Sequence, residues 1–339
     1  VIKFYDIHNI RSSVTYIRFG LFFMGIYYFL EKKPNLIKWL FFVFFFSFSV
    51  LIIDGYLQYF FKTNFFDINI EKGRITSLFR SEHILGSYLS RLFPIFLGIT
   101  FYLYKDKKPY ILAISFIFIL TEILIFLSGE RSAFFFNTIA AIFVIIMLKD
   151  FKKIRLLSFV ISLGIIFLIS IINDSAKKRI WDQTISQIGI NSGNLNLFSE
   201  GHESHYKSAY KMFEDNRIFG IGIRNFRNFC NEKKYRVNYK NLIIPYQVYH
   251  DRSCTTHPHN TYIQLLSETG FIGFSFIFLL LIYFIYKSLE HLKGIIRFKK
   301  YYFNDFEICL LSAILISIWP LIPTGNFFNN WLSIIYYFP

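Results

Sequence analysis

The chain has 339 residues, of which 54% are hydrophobic and 21% aromatic, and its formal net charge is +15. Runs of 17 or more mostly apolar residues recur along it, and each is long enough to cross about 30 Å of hydrocarbon, which excludes an ordinary soluble domain. The positive charge would suggest nucleic-acid binding in a soluble protein, but here membrane topology explains it and no nucleic-acid partner is expected.

The apolar runs predict an all-α polytopic membrane protein, because lipid cannot satisfy the hydrogen bonds of an open backbone. Nine spans are predicted, at about 14–30, 36–53, 84–103, 110–127, 132–148, 156–172, 262–286, 306–322 and 327–338. We expect one membrane domain over residues 1–339, with a large loop at 173–261 inserted between two spans.

Basic residues concentrate in short loops that share one side of the membrane when the spans are threaded alternately. These loops are 31–38, 105–109, 149–155 and 287–300. By the positive-inside rule that side is cytoplasmic, and long loops translocate largely regardless of their charge. The large loop, residues 54–83 and the turn 128–131 are therefore expected outside.

The same threading puts the first residue, Val1, outside, and the sequence shows no signal peptide. About three further spans upstream would bring the N-terminus into the cytoplasm and the total to about twelve. We therefore expect an N-terminally incomplete twelve-helix protein.

Two of the three cysteines, Cys230 and Cys254, lie in the large loop. In an oxidising compartment they are candidates for a disulfide, which would stabilise the fold by about 3 kcal/mol in the chain-entropy model. The alternative is two unpaired thiols. Cys309 falls within a span and is expected to be a small apolar filler.

The large loop carries signals of internal order. Ser204 is predicted to cap a helix over about 205–215. The stretch Phe219-Gly220-Ile221-Gly222 breaks the pattern, and a second helix is expected over 225–235.

The stretch His257-Pro258-His259-Asn260 lies where the large loop meets the span at 262–286. A helix N-terminus there offers free N–H groups and a partial positive charge, which suit a phosphate-bearing ligand. Histidine titrates near neutrality and can take a proton from a sugar hydroxyl. The structural alternative is that His259 caps a helix at the membrane interface.

Asn260, Gln264 and Glu268 follow at every fourth residue and form a polar stripe on an otherwise apolar helix. Polar groups at membrane depth usually face protein or a water-filled cavity. Gly270 and Gly273, further along, predict close approach of a neighbouring helix.

Arginines gather at the same outer edge. Arg131 lies in the turn Ser128-Gly129-Glu130-Arg131-Ser132 between two spans, where a guanidinium can bind a lipid-linked phosphate through two parallel hydrogen bonds. Arg74 and Arg80 precede the span at 84–103, and spacing alone does not choose between them. The alternatives are a snorkelling charge for Arg131 and a solvated loop for the other two.

Arg91 and Glu122 are expected at similar depth within consecutive antiparallel spans. Lone charges in a bilayer are costly, so these two are predicted to pair. No His, Cys or acidic cluster has standard metal-ligand spacing, and neither a metal nor another cofactor is expected.

Several of these motifs, taken in order, resemble the bacterial O-antigen ligase/polymerase family. The most specific is His259-Asn260, followed after nine residues by Gly270 and Gly273. Four other stretches resemble further segments of the family: 54–59, 74–88, 128–133 and 219–222. The resemblance therefore covers about 54–286.

The resemblance implies a glycosyltransferase of the GT-C class in the bacterial inner membrane, acting at the periplasmic face without a metal. Its donor would be an undecaprenyl-diphosphate-linked glycan, and its acceptor lipid A–core or another glycan. His259 would be catalytic, by activating or positioning the acceptor hydroxyl. Arg131 would hold the diphosphate, assisted by Arg74 or Arg80 and with Asn260 in the substrate site.

The sequence departs from the family pattern at two points. Ser77 stands where glycine is common, and residues 202–207 lack the arginine often found upstream of the Phe-Gly-x-Gly segment. Since neutral histidine binds an anion less well than arginine, a second diphosphate ligand from this loop stays open. Arg224 and Arg227 are candidates for that role.

The leading interpretation is a ligase that acts on lipid A–core, followed by a repeat-unit polymerase, with protein glycosylation as a third family activity. The alternative from another class is a glycan-lipid transporter, and a non-catalytic assembly protein has no feature of its own here. A transporter places its polar site near the bilayer midplane, as only Arg91 and Glu122 suggest. His259, Arg131 and Arg74 favour the enzyme.

Overall fold

The computed structural model describes residues 13–70, 73–172, 178, 182–188, 198–237 and 254–338. Within these ranges the protein is helical, and its only β-pairing is an isolated bridge between Thr63 and Asn69. This confirms the prediction of an all-α protein.

The helices are numbered here along the described part of the chain. They are α1 (Ile17–Lys32), α2 (Leu36–Phe61), α3 (Leu85–Leu103), α4 (Lys108–Leu127), α5 (Arg131–Met147), α6 (Lys152–Ile172), α7 (Gln183–Ile188), α8 (Glu200–Asp215), α9 (Phe226–Phe229), α10 (Thr261–Lys293), α11 (Asp305–Ser317) and α12 (Asn330–Tyr337). A 3₁₀ turn at Ser77–Phe79 precedes α3, and a π-helical turn at Gly294–Phe298 follows α10.

Five helical stretches among the described residues are long and apolar enough to cross a membrane. They are Ser13–Lys32, Leu36–Phe61, Lys108–Leu127, Lys152–Ile172 and Thr261–Phe298. The chain is therefore a polytopic membrane protein, as the composition predicts. The total of nine spans, the twelve-helix GT-C fold and the domain boundaries stay predictions.

The last two predicted spans are shorter as helices than their apolar runs suggest. α11 has 13 residues and α12 has 8, against about 20 for a full crossing. Pro320 and Pro323 follow the end of α11, and proline cannot continue a helix because it lacks an N–H and restricts the residue before it. The segment 318–328 runs between the two helices as irregular chain.

α3 lies at the centre of the bundle, in contact with α2, α4, α5 and α11. Its buried face carries Leu89, Phe93 and Phe96. Gly98 allows α11 to approach, since a Cβ there would lie 2.9 Å from the Cβ of Cys309. Cys309 is a buried free thiol, in agreement with its expected role as an apolar filler.

The predicted pair between Arg91 and Glu122 is wrong. Glu122 forms a buried ion pair with Arg155 of α6 and accepts a hydrogen bond from Ser162 on the same helix. The sequence places Arg155 at the end of a cytoplasmic loop. In the structure, α6 begins at Lys152 and packs along α4, which carries Arg155 into the protein interior.

Arg91 faces a different helix from the one expected. Its guanidinium carbon lies 5.1 Å from the centroid of the Phe136 ring of α5, and its charge acts on the carboxylate of Glu130. Similar depth on consecutive helices therefore does not establish a pair, because rotation about the helix axis decides which neighbour a side chain meets.

The large loop departs from prediction at both of its expected helices. α8 begins at Glu200 rather than near 205, and Ser199 is its N-cap, accepting from the His202 N–H at 3.5 Å. Ser204 lies inside the helix, where its hydroxyl donates to the Gly201 carbonyl at 2.7 Å. The helix expected over 225–235 forms only one turn, α9.

Cys230 and Cys254 are joined by a disulfide. The sulfur of Cys230 is buried in a small apolar cluster with Ala209 and Met212 of α8, and Ile263 of α10 packs against the same cluster. The bond thus ties the segment that precedes the histidine motif to the helices of the large loop.

Candidate active site at the start of helix α10

Helix α10 begins at Thr261, directly after the histidine motif, as the sequence predicts. The side-chain oxygen of Asn260 accepts from the N–H groups of Tyr262 and Ile263 at 3.0 and 3.1 Å, and its NH₂ group donates to the Pro320 carbonyl at 2.7 Å. Asn260 is therefore an N-cap with both ends of its amide engaged. Its part in substrate binding stays a prediction.

His259 adopts a left-handed backbone conformation, with φ of 61°. Its carbonyl accepts a hydrogen bond from the Thr324 N–H at 2.8 Å. Positive φ is uncommon outside glycine and persists where surrounding structure imposes it. The segment 318–328, which follows α11, thus helps to hold the backbone of His259 at the start of α10.

Three other imidazole rings surround that of His259. The ring centroid of His257 lies 4.1 Å from that of His259, and those of His202 and His205 lie at 5.6 and 5.7 Å. The sequence motif predicts that His257 and His259 lie together. His202 and His205 stand out in the sequence only because they lie where the family pattern often has an arginine. Their spacing of three residues on α8, which packs against α10, puts both on one face.

Burial favours the neutral state of three of these rings, those of His259, His257 and His202. Burial lowers the pKa of His259 to about 3, reinforced by the neighbouring His257, His202 and His205. Burial also lowers the pKa of His257 to about 4, and it lowers the pKa of His202, with His205 and Arg131 contributing. At neutral pH each of the three can therefore accept a proton.

Arg131 is the first residue of α5 and lies near His202, since its positive charge helps to lower the pKa of that histidine. The turn before it is anchored to α3 through Glu130, whose carboxylate accepts from the N–H groups of Gly86 and Ser87 at 2.6 and 3.1 Å. Burial raises the pKa of this carboxyl to about 7, although the bonds from Ser87 and Gly86 oppose the shift.

The loop that carries Arg74 and Arg80 is fastened to α2 by buried polar groups. Gln58 accepts from the N–H groups of Thr76 and Ser77 at 2.9 and 2.8 Å. Asp54 accepts from the hydroxyl of Ser77 at 2.7 Å. Ser77 has φ of 49°, a conformation that favours glycine and accounts for the glycine common at this position in the family.

Arg74 and Arg80 differ in their surroundings. The N–H of Ile75 donates to the carbonyl of Leu127, the last residue of α4, at 3.5 Å. Arg74, the residue before Ile75, is half-buried. Arg80 is exposed at the end of the 3₁₀ turn. Contact of either arginine with a donor stays a prediction.

The Phe-Gly-x-Gly segment packs directly on a kink in α10. Gly270 interrupts the helix with φ of 64°, and a Cβ there would lie 2.3 Å from the carbonyl oxygen of Ile218. The N–H groups of Ile221 and Gly222 donate to the carbonyls of Ser267 and Glu268, both at 2.9 Å. Two motifs that are far apart in sequence thus form one unit.

The expected reason for the two glycines of α10 is therefore corrected. At Gly270 the close neighbour is irregular backbone, Ile218 and Gly220, rather than a helix. At Gly273 the nearest atoms belong to Thr269 of the same helix. The cause is the kink, which turns the backbone of α10 toward the large loop instead of toward another span.

The polar stripe on α10 faces protein. Gln264 and Glu268 are buried, and the Gln264 amide donates to Glu268 at 3.0 Å and to Asn326 at 2.8 Å. The Gln264 carbonyl oxygen accepts from the N–H of Phe327 at 2.9 Å. These bonds join α10 to the segment 318–328, which sequence patterns do not single out.

Arg224 also contacts the segment 318–328. It has φ of 62°, and its guanidinium donates to the carbonyl of Phe328. This hydrogen bond helps to hold the segment 318–328 in place. The role of Arg224 as a diphosphate ligand stays a prediction.

In the described part of the chain no group of three or more His, Cys, Asp or Glu residues has the arrangement of a metal site. None of the curated proteins matches the chain. The family model for O-antigen ligase matches residues 114–278, a stretch that includes Arg131, all of α8 and the histidine motif. Over this stretch the chain is similar to the O-antigen ligase/polymerase family.

Proposed function

We propose that the protein transfers a polysaccharide from an undecaprenyl-diphosphate carrier to an acceptor at the periplasmic face of the bacterial inner membrane. Lipid A–core is the leading acceptor, which would make the enzyme an O-antigen ligase. The observation that carries the proposal is the position of His259 at the start of α10, within a group of histidine rings that includes His202. The charge of Arg131 acts on His202. The match of residues 114–278 to the O-antigen ligase family model supports it.

In this reaction the oxygen of an acceptor hydroxyl attacks the anomeric carbon of the donor glycan. The bond from that carbon to the diphosphate oxygen breaks, and undecaprenyl diphosphate leaves with the electron pair. His259, neutral when the site is empty, takes the proton of the hydroxyl as general base. Arg131 stabilises the charge that grows on the leaving diphosphate.

The remaining predicted residues divide into two kinds. Arg74 is the first candidate for assisting at the diphosphate, because its neighbour Ile75 is hydrogen-bonded to Leu127 just before the turn of Arg131, and Arg80 is the alternative. Asn260 and Arg224 hold the segment 318–328 against α10, so their substitution should act mainly through the placement of His259.

On this proposal, arginine and histidine side chains compensate the negative charge of the diphosphate, and no metal ion takes part. Transfer by the purified protein in liposomes, from a lipid-linked glycan to an acceptor, should therefore be unchanged by EDTA. Loss of activity on chelation, with recovery on adding a divalent cation, would contradict this point.

His259→Ala and Arg131→Ala test the two assigned roles. Loss of a general base lowers the rate by about 10²–10⁴-fold, so glycan attachment in cells should be abolished while membrane insertion is normal. Lys207→Ala is the matched control, because Lys207 is an exposed cation of α8 whose ammonium pairs with Glu203. Full activity in both site variants would refute the assigned roles.

The acceptor is decided by deleting the protein and separating lipopolysaccharide on a gel. Complete loss of glycan from lipid A–core indicates the ligase, and a band with a single repeat unit indicates the polymerase. Unchanged lipopolysaccharide together with loss of glycan from proteins indicates protein glycosylation.

The transporter alternative loses its main support. Of its two candidate charges, Glu122 is saturated by Arg155 and Ser162 inside the bundle, which favours a structural ion pair. Transfer to an acceptor by purified protein in liposomes, with the donor on both faces, would exclude a role limited to transport.

A further inference from the structure

The histidine cluster is defined as His202, His205, His257 and His259, and the groups that act on His202 and His257 are cationic or neutral. α8 contributes two of its rings and the phenol of Tyr206, whose centroid lies 6.3 Å from that of His202. The charge of Arg131, at the start of α5, acts on His202, and that of Arg227, on α9, acts on His257.

Carboxylates near the cluster are engaged elsewhere. Glu203 of α8 pairs with Lys207 in an exposed ion pair. Glu268 of α10 accepts from the N–H of Phe226 at 3.0 Å and from Gln264. In the described part of the chain no carboxylate is among the groups that act on the rings of His202, His257 and His259.

The neutral partners of the cluster are carbonyls and hydroxyls. The Nδ1 atom of His257 lies 2.9 Å from the Thr256 hydroxyl, and its Nε2 atom lies 3.4 Å from the Thr324 carbonyl. On α8 the Nδ1 atom of His202 lies 2.6 Å from the Ser199 hydroxyl. These groups orient the rings but bring no negative charge to compensate a protonated imidazole.

Several imidazoles at this spacing cannot all carry a proton unless an anion compensates them, because burial and like charge both disfavour the cationic form. A bound anion acts in the opposite sense and favours it. Occupation of such a cluster by an anion is therefore coupled to proton uptake, and affinity falls as pH rises.

We infer that the histidine cluster is a proton-linked anion site, in which His202 and His205 take up protons as the diphosphate of the donor binds beside Arg131. The identity of the anion rests on the proposed function. The protons go to the two rings on α8, and His259 stays neutral to receive the proton of the acceptor hydroxyl. The site therefore becomes cationic only when a donor is present.

The test uses the full chain in nanodiscs, with farnesyl diphosphate as a soluble isoprenoid diphosphate probe. Calorimetry at pH 7 in buffers of different ionisation enthalpy measures the protons taken up on binding. We expect the wild type to take up about one to two protons more than the His202→Gln, His205→Gln double variant, up to one for each ring. Its affinity should fall about 10- to 100-fold more steeply per pH unit. The comparison between variants cancels the titration of the probe itself.

His202→Arg distinguishes a titrating ligand from a purely structural residue. Arginine is always charged, so in the His205→Gln background it should restore affinity at pH 8 while the extra proton uptake stays absent. Lys207→Gln, which removes an exposed cation from the same helix, should leave both quantities at the wild-type values.

The outcomes separate this inference from the proposed function. If the wild type binds the probe but the double variant takes up as many protons, the inference is overturned and the donor class survives. If the wild type neither binds the diphosphate probe nor transfers glycan in liposomes, the inference and the proposed function both fail. Proton uptake that is lost with His202 and His205 and not regained with arginine supports the proton-linked site.

Discussion

At the scale of single residues, His259 and Ser77 adopt backbone conformations that L-residues seldom adopt. His259 has φ of 61° and Ser77 has φ of 49°. Each is held by hydrogen bonds to distant parts of the chain: His259 by Thr324, and Ser77 by Gln58 and Asp54. Such conformations cost about 1–3 kcal/mol and persist only where the surroundings impose them.

Ser77 can be tested by two substitutions that separate backbone strain from hydrogen bonding. Ser77→Ala keeps the strain and removes the hydroxyl that donates to the buried Asp54, which should cost about 1–3 kcal/mol. Ser77→Gly loses the same bond but relieves the strain, by about 1 kcal/mol. The melting temperature of the purified protein in detergent should therefore decrease in the order wild type, Gly, Ala, and the reverse order of the two variants would contradict this account.

At the scale of elements, helix pairing is decided by rotation and shift rather than by order along the chain. The apolar runs predict most of the spans, and the prediction of helical structure is confirmed. The partner of Glu122 is not predicted, since Arg155 is close to a basic loop in sequence and enters the core only because α6 starts early and packs on α4.

A pair of double-mutant cycles tests this assignment. Removing one partner of a buried ion pair leaves the other charge uncompensated, so Glu122→Gln and Arg155→Met should couple by about 2 kcal/mol or more in free energy of unfolding. Glu122→Gln with Arg91→Met is the matched control and should be additive to within about 0.5 kcal/mol. Stability is read from steric-trapping or detergent unfolding curves. Coupling in the Arg91 cycle and not in the Arg155 cycle would restore the pairing expected from sequence.

At the scale of the whole molecule, the distribution of basic residues predicts sidedness. The short basic loops are assigned to the cytoplasm, and the histidine cluster, Arg131 and the disulfide to the periplasm. The disulfide between Cys230 and Cys254 agrees with an oxidising compartment on that side.

Single cysteines on exposed lysines test the sidedness. Lys207→Cys, on α8, should react with a membrane-impermeant maleimide in cells whose outer membrane alone is permeabilised. Lys107→Cys, between α3 and α4, should react only after the inner membrane is opened. The native background should be low, because Cys309 is buried and the other two cysteines are bonded to each other. Labelling in the opposite pattern would invert the topology.

The sequence by itself determined the helical membrane class, the resemblance to the O-antigen ligase family, and the start of α10 at the histidine motif. Apolar run length, helix-capping residues and motif order are local properties, so they are readable along the chain. It also marked Arg131 and His259 as the residues on which the proposed chemistry depends.

Only the tertiary structure brought His202 and His205 to His259, the segment 318–328 to the start of α10, and Arg155 to Glu122. The hydrogen-bonded pairs among them are far apart in sequence: 33 positions for Arg155 and Glu122, and 60 positions for Asn260 and Pro320. They depend on how helices rotate and shift against one another, which is set by packing of the whole bundle and is not encoded in any single stretch of sequence.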